Sequence, residues 1–306
     1  MHIVIIGQAA FGQQVLESLL KNGEKVVGVF CPPDRESRPA DPIKTAATGK
    51  DVPVFQFKRM RDQKAIDAFL NLKPDLCVMA FVTDIVPMEM LEAPVKGTIQ
   101  YHPSLLPKHR GPSSINWPII QGETETGLTI FWPDDGLDTG PVLLQKETVI
   151  GSDDTLGSVY FDRLFPMGVE AMVEAVGMVR KGTAPRIEQD HTQATYEGWC
   201  KKDEAIIDWG KPVGDVYNLI RGCDPSPGAN TTLNGNKVSF FSAERVNGNK
   251  GAPAGQVVEI TGDGFRVAAD GGSIIVRQVQ PDGGKKVAAG EWVESVGLQA
   301  GARFGV

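Results

Sequence analysis

Long apolar runs are missing from this 306-residue chain: none approaches the ~18 residues that a membrane-crossing helix requires, so a helical span is excluded. Cysteine is scarce. Cys31, Cys77, Cys200 and Cys223 lie far apart in sequence with no C-x-x-C pair, so neither a zinc site nor a disulfide framework is expected. Such cysteine usage fits a reducing cytoplasm. A basic excess is lacking as well. The formal net charge is −7, and from Ile206 to Val306 ten Lys and Arg face ten Asp and Glu, so residues 1–205 carry the whole negative balance. A surface dedicated to nucleic acid should show a positive excess, because phosphate neutralisation supplies most of that affinity. Repeats and low-complexity tracts are absent. The opening Met1-His2-Ile3-Val4-Ile5-Ile6-Gly7 has no basic stretch before its apolar run and passes directly into glycine, which reads as a buried strand rather than a secretory leader.

What is present is the composition of a globular protein, 41% hydrophobic and 23% charged, in a chain longer than one compact core usually holds. Two domains are expected. His2–Ile6 reads as a strand, Phe11–Lys21 as a helix with apolar residues at helical spacing, and Lys25–Phe30 as the next strand, which together make a βαβ unit. Strands at 52–55, 76–80, 97–101 and 126–132, with helical segments at 63–70, 88–91 and 114–121, continue the alternation. This pattern predicts an α/β fold with an open, Rossmann-like, mostly parallel sheet. Asp154–Val179 reads as one long amphipathic helix. After a further helix near 213–221, short strands at 237–241, 255–260, 264–268 and 273–280 alternate with glycine turns and predict a small OB-like β-barrel. The boundary is placed near residue 204, giving a catalytic domain over 1–204 and the barrel over 205–306.

Gly7-Gln8-Ala9-Ala10-Phe11-Gly12 lacks the G-x-G start of a dinucleotide fingerprint, and Asp34 only loosely matches an acidic ribose clamp. A nicotinamide cofactor is not expected. The glycines are read as letting a helix start tightly after the strand.

The chemistry is concentrated in Tyr101-His102-Pro103-Ser104-Leu105-Leu106-Pro107-Lys108-His109-Arg110-Gly111 and in Phe131-Trp132-Pro133-Asp134-Asp135-Gly136-Leu137-Asp138-Thr139-Gly140. His102 ends a strand and is followed by a proline-bounded turn, and ligands of open α/β sheets bind at the C-terminal ends of strands. Asp134-Asp135-Gly136 has the composition of a plain turn. Asp138 follows on a short loop over the same sheet edge. Two ionisable groups from different loops at one edge form a candidate site for moving an acyl group and its protons.

These residues carry a resemblance. H-P-S-L-L-P-x-x-R-G followed some thirty residues later by L-D-x-G resembles the folate-dependent formyltransferase family. The longer set, with S-x-I-N-W, F-W-x-D-D-G-L-D-T-G and L-L-Q-K-E, is most similar to the N-terminal hydrolase domain of 10-formyltetrahydrofolate dehydrogenase. The carrier and aldehyde dehydrogenase domains of that longer protein have no counterpart in these residues, so no NAD(P)-linked oxidation is expected. Nor is a metal. The resemblance implies 10-formyltetrahydrofolate as formyl donor, His102 as the donor to the oxyanion or the leaving N10, and Asp138 as the base. It places the pteridine between Phe81, Asp84, Ile85, Val86 and Pro87 on one side and the loop with Asp134, Asp135 and Gly136 on the other. For Phe81, Ile85 and Val86 core packing is the competing reading.

Gln100 departs from the pattern. Most formyltransferases have Asn two residues before the His, and the hydrolase domain has an apolar residue there. Gln keeps the amide but adds a methylene, so a relocated oxyanion donor and a spectator both remain open. Methionyl-tRNA formyltransferases need a basic insertion after the second strand, whereas Pro32-Pro33-Asp34-Arg35-Glu36-Ser37-Arg38-Pro39 is short and mixed in charge. Water or a small amine therefore ranks above initiator tRNA as the acceptor. A catalytically silent folate-binding module is a further alternative, though it would need neither His102 nor Asp138. Orienting an acceptor, docking a carrier and forming a homodimer contact are all open roles for the C-terminal domain.

Overall fold

The computed structural model describes residues 1–36, 38–249 and 251–305. In chain order the elements are β1 (His2–Gly7), α1 (Ala9–Lys21), β2 (Lys25–Cys31), α2 (Pro42–Thr48), β3 (Val54–Gln56), α3 (Gln63–Asn71), β4 (Leu76–Ala80), α4 (Met88–Glu92), β5 (Thr98–His102), α5 (Asn116–Ile120), β6 (Glu125–Phe131) and β7 (Val142–Val149). There follow α6 (Leu156–Val159), a π-helical turn (Tyr160–Leu164), α7 (Phe165–Lys181) and α8 (Val213–Gly222), then β8 (Ala229–Leu233), β9 (Asn236–Asn247), β10 (Val257–Thr261), β11 (Gly264–Ala269), β12 (Gly272–Pro281), β13 (Val287–Ala288) and α9 (Ala289–Val296). By contacts the chain divides into two interleaved units. One comprises residues 1–111, 127–148 and 163–196, the other 112–126, 149–162 and 197–306.

The first unit is built on a seven-stranded sheet in the order β3-β2-β1-β4-β5-β6-β7. The pairs from β3 through β5 are parallel, and β6 runs antiparallel to β5. Both faces are covered, which is why β1 and β4 read as unbroken apolar runs rather than as alternating ones. Ile3, Ile5, Ile99 and Tyr101 pack on one face with Phe11, Val15 and Leu19 of α1 and Met172 and Val176 of α7. Val4, Ile6 and Met79 pack on the other with Phe69 of α3 and Met90 of α4. Strand side chains alternate, so Thr98, Gln100 and His102 share the second face of β5. The Thr98 hydroxyl there donates to Leu91 O of α4 at 2.8 Å. Gly7 has a packing reason: a Cβ would approach the Ala80 carbonyl to 2.5 Å.

The Asp154–Val179 helix of the sequence reading is interrupted. Thr155 caps α6 in a reciprocal box with Ser158, and the π turn precedes α7, which carries Pro166 in its first turn. Proline has no N–H to donate, and the wider turn absorbs the break in the ladder. Helix α2 is too short for apolar periodicity to reveal it in the sequence. Asp41 caps it by accepting from Ile43 N at 3.0 Å, and also accepts from Ala9 N at 2.9 Å.

In the second unit β10-β11-β12-β9-β8 form an antiparallel path, with β13 added to β12. Arg303 bridges to Gln256 beside β10 and Phe304 to Leu233 of β8, so one short segment links both ends of the path. Phe304 is 2% exposed and its ring lies 5.2 Å from Phe240 and 5.6 Å from Phe265. Cys200 and Cys223, distant in sequence, are brought to 3.8 Å between sulfurs as free thiols. Phe304→Ala should cost this unit about 3–5 kcal/mol, the usual cost of deleting a fully buried ring, seen as a lowered urea midpoint. A midpoint unchanged from wild type would show that the segment does not hold the sheet ends.

Candidate active site

His102 is the last residue of β5 and is buried, 5% exposed. The turn that follows is held from beneath. Thr129 Oγ1 donates to Ser104 O at 2.7 Å and accepts from Leu106 N at 3.1 Å, while Gln145 Nε2 donates to Leu106 O at 2.8 Å. Ser104, fully buried, donates to Lys108 O at 2.7 Å. The turn comes back to the strand end at His109, whose carbonyl lies 2.8 Å from His102 Nε2.

Asp138 is 6% exposed and its Oδ2 lies 3.6 Å from His102 Nδ1. The same oxygen accepts from Gly111 N at 2.8 Å. A carbonyl can only accept, so His109 fixes a proton on Nε2 and leaves Nδ1 as the nitrogen free to react. Both ring nitrogens then face oxygen atoms, His109 O at Nε2 and Asp138 Oδ2 at Nδ1. Phe81, His109 and Asp138 all adopt positive φ, at 62°, 54° and 56°. For non-glycine residues this costs on the order of 1–3 kcal/mol each, and such strain concentrates at functional sites.

Gln100 lies on the same face of β5 as His102, between Met79 and Phe131. It is half-buried, and its amide makes no hydrogen bond among the described residues. The other expected residues are spread in role. Phe81 and Ile85 are exposed, at 46% and 75%, whereas Val86 is buried in the second core. Asp84 Oδ2 accepts from Met60 N at 2.7 Å, and Pro87 precedes α4 as its N-cap. Asp134 accepts from Gly136 N at 3.1 Å and from Thr139 Oγ1 at 2.6 Å, so the Asp134-Asp135-Gly136 stretch is a turn stabilised from within. A cleft of about 470 Å³ opens beside it, with Met88, Leu91, Trp132 and Arg186 in its walls. The Arg186 guanidinium lies 4.0 Å over the Trp132 ring.

Tyr196, which carries no signal in the sequence reading, ends the segment that pairs with Arg110. Desolvation, with the Asp138 charge, raises its phenol above the usual range. Among the described residues no group of three or more His, Cys, Asp or Glu could hold a metal, and no helix is long and apolar enough to cross a membrane.

A family profile described as Formyl transferase matches residues 1–176, and one described as Formyl transferase, C-terminal domain, matches residues 200–297. The chain belongs to the formyl transferase family. It is 41% identical over 311 residues to the cytosolic 10-formyltetrahydrofolate dehydrogenase of Xenopus tropicalis, covering 96% of this chain and 34% of that protein. The chain thus spans about a third of the length of the dehydrogenases it matches. It is 35% identical over 308 residues to the methionyl-tRNA formyltransferase of Syntrophus aciditrophicus (strain SB), covering 99% of this chain and 98% of that one. The fold is shared with HypX of Aquifex aeolicus, solved in complex with tetrahydrofolic acid, at a TM-score of 0.71 and 18% identity over 96% of this chain and 47% of that chain.

In this formyl transferase, then, the two strand-end groups read from the sequence meet, while the residues expected around the pteridine divide between exposed side chains and structural ones. The tautomer is directly measurable. Nitrogen-15 NMR of the labelled protein should show His102 Nε2 protonated when the ring is neutral. A neutral ring protonated on Nδ1 would contradict the His109 contact.

Proposed function

We propose that this formyl transferase transfers the formyl group of 10-formyltetrahydrofolate to water, giving formate and tetrahydrofolate, or to a small amine in its place. The observation that carries the reading is the buried approach of His102 Nδ1 to Asp138 Oδ2 at 3.6 Å at a strand end. Water attacks the formyl carbon as Asp138 takes its proton, and the carbonyl π electrons move to oxygen. That proton passes from Asp138 to His102 Nδ1, which delivers it to N10 as the intermediate collapses: the carbonyl re-forms, the C–N10 bond breaks, and N10 leaves protonated beside formic acid, which ionises to formate. Gln100 donates its free amide hydrogens to the developing oxyanion. Phe81 and Ile85 offer exposed apolar surface to the folate rings, and the backbone of Asp84–Pro87 and Asp134–Gly136 reads the pteridine amide edge. The buried Val86 contributes through its backbone.

Initiator tRNA is the second reading, favoured by the near full-length match to a methionyl-tRNA formyltransferase. The even charge balance from Ile206 onward ranks it below water, because tRNA binding draws on phosphate neutralisation. Incubation with 10-formyltetrahydrofolate, alone and with amines or charged initiator tRNA, separates the readings. Turnover without macromolecular acceptor supports the first, and turnover only with tRNA replaces it. Tight folate binding with no turnover makes the chain a binding module.

Asp138→Ala and His102→Ala should each lower kcat by about 10²–10⁴-fold while leaving the fold intact. Rates near wild type in either would show the acid and base to be misassigned. Gln100→Leu should cost about 10²-fold in kcat, the usual cost of losing one oxyanion donor. An unchanged rate would make Gln100 a spectator.

A further inference from the structure

The loop that carries Asp138 and the turn that carries His109 are joined by a third segment, residues 187–196. Val142 N donates to Ile187 O at 2.7 Å and Ile187 N to Val142 O at 2.9 Å. With that antiparallel pair fixed, Gln189 stands opposite Gly140. Further along, Arg110 N donates to Thr195 O at 3.1 Å and His109 N to Thr195 Oγ1 at 2.8 Å. One strap is therefore paired with both halves of the site.

Gln189 lies where they converge and is 6% exposed. Its Nε2 donates to Asp138 O at 3.0 Å and to Gly140 O at 2.7 Å. Its Oε1 accepts from Arg110 Nε at 3.2 Å and from Arg110 Nη2 at 2.6 Å. All the capacity of the amide is used, and the two backbone carbonyls and the guanidinium leave it one orientation. Arg110 is buried and is the central residue of the tripeptide whose flanks hold His102 through His109 O and Asp138 through Gly111 N. The Gln189 bond to the Asp138 carbonyl acts on a residue in a left-handed backbone, whose side-chain direction depends on how that peptide is held.

From this arrangement we infer that Gln189 is a positioning residue for formyl transfer: with Arg110 it forms a strut that sets the distance and direction of Asp138 relative to His102. The inference rests on the roles proposed above for those two groups. All four hydrogen bonds of the Gln189 amide go to protein groups, so its loss should appear in kcat rather than in folate affinity. Gln189→Glu isolates the effect. It keeps an acceptor for Arg110 but places a carboxylate oxygen against the Asp138 and Gly140 carbonyls, which pushes the loop away.

The test combines kinetics with amide exchange on the whole chain. In Gln189→Glu, kcat for tetrahydrofolate release should fall about 10–100-fold, the scale of a misplacement near 1 Å, with KM for 10-formyltetrahydrofolate within about twofold of wild type. Hydrogen exchange should quicken over residues 136–141 and stay unchanged in β1 and β4. A lowered melting temperature with wild-type kcat in the folded protein, or unchanged exchange in the loop, overturns the inference. If wild type shows no turnover, the functional reading fails by itself and loop exchange in the variant still decides whether the strut exists. Should the variant not fold, the Gln189 side-chain amide protons of wild type decide it by NMR: slow exchange relative to exposed Gln193 upholds the strut, and equal exchange overturns it.

Discussion

The site depends on the backbone of three residues. The His109 carbonyl holds His102 by Nε2, and the Gly111 amide holds Asp138 by Oδ2. Between them, the Arg110 guanidinium grips the amide that in turn grips the Asp138 peptide. A histidine and an aspartate from two different loops, the acid and base of the proposed reaction, are thus referred to one short stretch of chain. Preorganisation of this kind matters because proton transfer and oxyanion stabilisation lose strength steeply with small displacements. The bent turn that supplies these contacts is supported by the buried Ser104 and Thr129 and by Gln145, which bond to its backbone and, in the case of Gln145 and Thr129, to each other.

Below the site, the sheet sets which residues are available to it. Full burial of both sheet faces fixes the register of β5, since a slip by one residue would exchange Tyr101, packed against α1 and α7, with His102. The same parity puts Gln100 on the face of β5 that carries His102, which is the geometric basis of the oxyanion role proposed for it. The left-handed backbones of Phe81, His109 and Asp138 are the local cost of bending chain over the strand ends, and they mark the same edge that the topology marks.

Much of this was legible from the sequence, for identifiable reasons. The parallel sheet announced itself in continuous apolar runs such as Ile3–Ile6 and Leu76–Ala80, and the His102 and Asp138 loops in proline and glycine punctuation. Asp134-Asp135-Gly136 reads as a turn and is one. Elements made by tertiary contact were not legible: α2 is too short for periodicity, and the π turn before Pro166 is hidden inside a helical pattern. Gln189 shows no local signal at all, because its meaning comes from pairing with a segment some fifty residues away. Cys200 and Cys223 likewise meet only through the fold.

The central claim, formyl transfer to water by the His102–Asp138 pair, is tested most directly by turnover of 10-formyltetrahydrofolate in ¹⁸O-enriched water with formate analysed by mass. The account predicts tetrahydrofolate and formate in equal amounts, with one solvent oxygen in each formate, and loss of both products in Asp138→Ala. Folate binding without formate, or formyl recovered only on an added aminoacyl-tRNA, would contradict it.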